Sequence, residues 1–171
     1  MPSNPVEVWQ RGPVPEITPL LQPVAHALLQ AREEVEEKIR SFPTELLWVR
    51  PAGMASCGFH LQHLCGVIDR LFTYARNEKL SENQFAELKA EKDAIRGSTT
   101  AELLERFTRQ VDSAIEQLKS TPETILTDYR PVGRAALPST VIGLLFHAAE
   151  HTMRHLGQLI VTSGIVSEQQ A

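Results

Sequence analysis

Apolar residues recur at three- and four-residue intervals through four long stretches of the chain and almost nowhere alternate. Leu21, Leu28 and Val35 repeat at seven, with Val24, Ala25, Ala31 and Ile39 filling the stripe. They predict a first helix from about Thr18 to Ser41, with Thr18 as cap, Pro19 in first position and REEVEEKIR as the solvated face. Leu61, Leu64, Ile68, Leu71, Phe72 and Ala75 predict a second, from about Ser56 to Lys79. Leu103, Leu104, Phe107, Val111, Ala114, Ile115 and Leu118 predict a third, from about Thr99 to Ser120. A fourth is expected from about Ser139 to Ser163, ended by Gly164. Its apolar residues, among them Val141, Leu145, Ala149, Leu156 and Ile160, cover so wide an arc that it should be buried on several sides.

The connections differ in character. SFPTELLWVRPAGM is broken by Pro43 and Pro51. SENQFAELKAEKDAI reads as a shorter helix capped by Ser81 and broken by RGSTT. TPETILTDYRPVGRAALP reads as a loop of about 18 residues, a length that usually marks a lid or a functional segment. Prolines at 2, 5, 13, 15 and 19 make the start of the chain extended and irregular, with Trp9 expected to anchor it. Strand signals are nearly absent. The pattern therefore specifies an all-α protein, a four-helix bundle with a short extra helix in the connection between helices two and three. The expected organisation is an irregular segment over 1–17, the bundle over 18–165 and a tail over 166–171. No internal repeat or low-complexity segment is visible.

Composition narrows the function. The 171 residues suit one domain with one core. A net charge of −4, mixed in sign and without a basic block, argues against a nucleic-acid partner. No apolar run reaches ~18 residues, so no membrane span is expected, and the N-terminus lacks a signal-peptide pattern. Cys57 and Cys65 are the only cysteines. Eight residues apart on one helix, they are separated by about 12 Å, too far for a disulfide. Reduced thiols in a cytoplasmic protein are the expectation, each acting as a small buried hydrophobe.

Three of the six histidines lie in LLFHAAEHTMRHLGQL: His147, His151 and His155, at successive intervals of four. Residues so spaced lie one helical turn apart with Cβ atoms roughly 5–6 Å from each other, close enough for two imidazoles to reach one metal ion. On a helical wheel His155 is nearest the apolar arc, His151 next and His147 at the rim, so the 151/155 pair faces inward. A further ligand should come from a facing helix, as in other bundle sites. FHLQHL in helix two offers His60, inside the apolar stripe, and His63, at its edge; the wheel favours His60. His26 is isolated and reads as an ordinary surface or core residue. A lone helical histidine is usually a core or surface residue, whereas three at this spacing with two more on another buried helix divide about evenly between packing and a metal. HAAEH also fits the short H-x-x-E-H protease pattern, with His147 and His151 as ligands and Glu150 as base. The wheel turns His147 and Glu150 away from the interior, and only Glu168 remains as a third ligand, which argues against it.

Two stretches resemble the DinB superfamily of DinB/YfiT-like metalloenzymes. ELLWVRPAGMASCGFHLQHL is similar to that family's tryptophan–proline lead into helix two, with a histidine, His63, seven residues after Ser56. EHTMRHLGQL is similar to its H-x-x-x-H-x-G-Q signature on the last helix. The resemblance runs from about Val14 onward. It implies a four-helix bundle in which His63, His151 and His155 hold a divalent metal, in place of the wheel's preference for His60. His60, His147 and Gln158 become candidates for supporting or substrate-facing roles. The ligand set suits zinc, nickel, copper or iron(II), with zinc or nickel the expected ion. Three ligands leave positions open, as in catalytic sites, where the ion lowers the pKa of a water or thiol. The resemblance also implies thiol S-transferase or hydrolase chemistry on a small molecule, a low-molecular-weight thiol among the options, and a homodimer. On the long loop, Tyr129, Arg130 and Arg134 could bind an anionic substrate group, although an ordinary solvated loop is the more common account of any one of them. The alternative is a non-catalytic metal-binding or stress-related binding module.

Overall fold

The computed structural model describes residues 6–95 and 97–169. The described part is mostly helical: α1 (Gln22–Ile39), α2 (Cys57–Ala75), the short α3 (Glu82–Ala90), α4 (Thr100–Ser120) and α5 (Val141–Glu168). The four long helices form a ring of contacts, α1 and α2 each packing against both α4 and α5. Leu28, Val35, Leu61, Phe107 and Leu145 lie fully buried among them. These are the residues of the three-four stripes, so burial of the stripes is what assembles the ring. α3 lies against α2 and contributes no buried residue.

Local chemistry sets most helix starts. The side chains of Ser56, Ser81, Thr99 and Thr140 each accept a hydrogen bond from the backbone N–H three residues on. Ser81 and Thr99 complete reciprocal capping boxes with Gln84 and Glu102. Thr18 does not cap: its hydroxyl bonds Glu123, a 3-10 turn covers Pro19–Leu21, and α1 begins at Gln22. Gly164 does not stop α5 either, which runs on to Glu168. Val166, seven residues after Leu159 and like it fully buried, keeps the last turn on the core, and that burial outweighs the poor helix propensity of glycine.

Two further expectations are corrected. The loop after α4 contains an antiparallel hairpin, β1 (Tyr129–Val132) with β2 (Leu137–Thr140), in which Pro131 and Pro138 stand opposite each other. Proline argues against a central strand, but a two-stranded ribbon has only edges and tolerates it. Trp9 is not an anchor: it is 61% exposed, while its neighbour Val8 is buried and donates its N–H to Gln30 at 2.9 Å.

The segment before α2 fixes where that helix begins. The Gly58 N–H donates to Leu47 O at 2.7 Å, and a Cβ on Gly58 would stand 2.6 Å from the Trp48 ring. Trp48 thus seats the first turn of the helix that carries His60 and His63. Gly58→Ala is expected to lower stability by about 1 kcal/mol, the net of overpacking against the indole and a better helix former. The measurement is the urea midpoint at unchanged m-value; a variant as stable as the wild type would show that Trp48 moves aside freely.

Candidate metal centre

α2 and α5 are packed together, and they bring four of the histidine rings into one cluster. Ligand-capable nitrogens of His63, His151 and His155 all lie within 4.8 Å of one another. The Nε2 atoms of His63 and His151 are 2.9 Å apart, and the ring centroids of His63 and His155 are 4.2 Å apart. His60 is more deeply buried, at 3% exposure, but meets only one of the three by a hydrogen bond: its Nδ1 is 3.1 Å from His155 Nδ1. The wheel was right about burial. The three-way convergence nonetheless falls to His63 at the stripe's edge.

Each ring is held differently from its far side. His63 Nδ1 lies 2.9 Å from Glu91 Oε2, and the other oxygen of Glu91 accepts from Arg70 at 2.9 Å. Burial alone would raise the Glu91 carboxyl, but the bonds from His63 and Arg70 outweigh it and hold it below the ordinary carboxylate value. An ionised Glu91 only accepts, so His63 donates to it from Nδ1, and in its neutral form the ring would present its lone pair at Nε2. Gly66 makes room for this arrangement: a Cβ there would meet the Arg70 guanidinium at 2.5 Å and Glu91 Oε1 at 2.6 Å. His155 is steadied through Nδ1 by His60. His151 Nδ1 is buried with no partner among the described residues, so its tautomer is set from the Nε2 side alone.

Phe59 packs beside the cluster. Its ring stacks on His63 with centroids 5.3 Å apart and meets His60 edge-on at 5.5 Å. Burial, reinforced by neighbouring histidines, pushes His60 and His155 down to about 4 and lowers His151. Such rings stay neutral near pH 7, the state in which imidazole is a ligand.

This has a consequence for the metal-free protein. An unfolded imidazole titrates near 6.5, so below that the unfolded chain takes up protons that folded His60 and His155 refuse. Stability is full above about pH 6.5 and falls as pH drops toward 4, by an expected 1–2 kcal/mol or so after allowance for the partial exposure of His155. Urea midpoints of chelator-treated protein at about pH 7 and pH 5 test this, with His60→Gln losing less over the interval. Equal losses in the two proteins would remove the histidines from the account of acid sensitivity.

The other residues of interest are placed as follows. His147, at the exposed rim, bonds Glu150 at 2.7 Å, and Glu150 also pairs with Arg154 at 2.7 Å. His147, Glu150 and His151 form a second group of potential ligands within 4.8 Å, but there the carboxylate is already satisfied by a cation. Gln158 is exposed and bonds none of the histidines, and no atom lies near a Cβ added at Gly157, so close packing does not explain the Gly–Gln pair. His26 lies 3.1 Å from Gly12 O, the ordinary role expected of it. Cys57 and Cys65 are free and buried, and burial pushes both thiols up to about 12. Tyr129 and Arg130 do not serve the cluster: Arg130 donates to Ala75 O at the far end of α2, while Arg134 lies over Phe85. Glu91, Arg70 and Phe59 were not foreseen. Glu91 is 28 positions from His63, with no periodicity linking them; the one local signal was Arg70, one turn from Gly66.

The chain matches the DinB superfamily over residues 6–159, and it belongs to that family. No curated protein matches it. Its histidine groups are compatible with binding a divalent metal. No helix among the described residues is long and apolar enough to cross a membrane.

Proposed function

We propose that the protein is a metal-dependent enzyme of four-helix-bundle architecture whose divalent ion, zinc or nickel, is held by His63, His151 and His155. The convergence of three ring nitrogens with no carboxylate among them carries this reading. The donor set fits the ion. The two Nε2 atoms, 2.9 Å apart, would need to separate by only a few tenths of an ångström to stand about 2.0–2.1 Å from a tetrahedral ion. His63 has its tautomer fixed for ligation by Glu91, and His155 is supported by His60. His151 would ligate through Nε2 with its proton moved to Nδ1, which is buried and has no partner among the described residues.

When bound, the ion supplies Lewis-acid stabilisation of an anionic sulfur or oxygen nucleophile. The chain's own residues do the rest. Glu91 and Arg70 hold His63 in place, and Phe59 keeps one side of the cluster apolar. Neither cysteine is available as a nucleophile, so a thiol in the reaction comes from the substrate. Thiol S-transfer to an electrophile, or hydrolysis, is the chemistry this supports, on a small molecule and in the cytoplasm. Homodimerisation would cover Phe146 and Val161, both about 60% exposed along α5.

The test is elemental analysis of untagged protein, followed by assays of the metal-loaded form for thiol transfer and hydrolysis. About one ion per chain with turnover in either assay supports the reading. Stoichiometric metal without turnover in any substrate class would leave a non-catalytic metal-binding module. Light scattering reads the oligomeric state, and a monomer at high concentration would refute the dimer.

A further inference from the structure

Next to Phe59, whose ring stacks on His63, lies a cleft of about 240 Å³ lined by Arg50, Ala55, Ser56, Phe59 and Lys92. In a chain of net charge −4 it is bounded by two cations, and neither has a carboxylate partner among the described residues. The Arg50 guanidinium is nevertheless oriented. Nε donates to Met54 O at 3.1 Å and NH2 to Gly53 O at 2.9 Å, across a turn in which Ala52 and Gly53 both have positive φ. That leaves most of its five N–H donors open. Lys92 has a free side chain on a fixed backbone. Glu91 before it is clipped to His63 and Arg70, and Asp93 after it accepts from buried Gln62 at 3.1 Å.

We propose that this cleft binds the anionic group, a carboxylate or a phosphate, of the substrate on which the histidine centre acts. The inference rests on the metal-centre reading for what happens to the substrate, but not for the binding of the anion. The cleft is smaller than a typical whole-ligand pocket, so it takes one end of the molecule. Phe59 forms its inner wall and is itself stacked on His63, so the rest of the molecule passes over that ring toward the cluster. Arg50 gives planar, paired hydrogen bonds to the anion and Lys92 a mobile point charge. Arg130, first expected in this role, is committed to Ala75 O and Asp128 at the other end of α2.

The experiment is a titration of ¹⁵N-labelled full-length protein with benzoate and phenyl phosphate, with benzamide as the neutral control, in metal-free and zinc-loaded forms. Both anions are expected to shift the amides of Ser56, Phe59 and Lys92 in either form, and the stronger binder identifies the substrate's anionic group. Arg50→Gln and Lys92→Gln should each weaken binding by about tenfold, the loss of one charge-assisted contact, with zinc binding unchanged. His155→Ala should lose zinc yet keep the anions, which separates failure of the metal reading from failure of this one. Binding only to zinc-loaded protein would mean that the anion goes to the ion itself and would overturn the proposal. So would equal binding of benzamide, or unaltered binding by both variants.

Discussion

His155→Ala is expected to bind zinc or nickel at least 100-fold or so more weakly than the wild type, beyond the upper end of what loss of an outer hydrogen-bonding partner costs a metal site. Its ring is central to the cluster, touching His63 and His151 and supported by His60. The same loss is expected for His63→Ala and His151→Ala. His147→Ala should leave the affinity within a few fold, because His147 bonds Glu150 at the rim and lies outside the convergent trio. His60→Ala should fall between, weakening the site through His155 without emptying it. Isothermal titration with each ion reads all five variants. A His155→Ala protein of wild-type affinity would sink the three-histidine assignment. Loss in His147→Ala equal to that in His155→Ala would move the ion to the outer group formed with Glu150.

Glu91→Ala is expected to weaken metal binding by about 10–100-fold although Glu91 is not a proposed ligand. The variant takes away the acceptor that keeps the His63 proton on Nδ1, and it leaves Arg70 as an uncompensated, mostly buried cation. Glu91→Gln retains a carbonyl acceptor and should recover part of the affinity. The signature beyond affinity is the ¹⁵N spectrum of the His63 ring, whose tautomer should become mixed in Glu91→Ala and stay fixed in the wild type. Unchanged affinity and an unchanged tautomer would reduce Glu91 to a clip for α3. Reduction to a clip would still be informative, since α3 buries nothing and is held by polar contacts: Glu91 at one end, Gln84 to Asp69 and Thr73 at the other, and Glu87 to Arg106 between them.

Three of the four long helices were legible because they are written twice, once in the stripe that faces the core and once in a cap such as Ser56 or Thr99, while α1 is marked by its stripe alone. The inward turn of His151 and His155 was legible for the same reason, since a wheel needs only the direction of burial. The choice between His60 and His63 was not. Both face the interior side of α2, and what separates them is how α2 lies against α5, a relation between two helices that no single-helix pattern contains. The motif resemblance supplied His63, the residue that meets both His151 and His155 in the fold. Glu91 was illegible for a different reason: it reaches His63 across a connection whose course is set by scattered polar contacts, and such contacts have no period. The hairpin was hidden by Pro131 and Pro138, which mimic loop composition while occupying paired strand positions. The run of α5 past Gly164 was hidden because burial of Val166 overrode a local stop signal.

The most direct measurement is the anomalous diffraction signal of crystals grown with zinc. One peak is expected within about 2.0–2.1 Å of Nε2 of His63, Nε2 of His151 and a ring nitrogen of His155, with Glu91 still on His63 Nδ1. A peak between His147, Glu150 and His151, or none at either group in protein that has been offered stoichiometric zinc, would contradict the three-histidine centre.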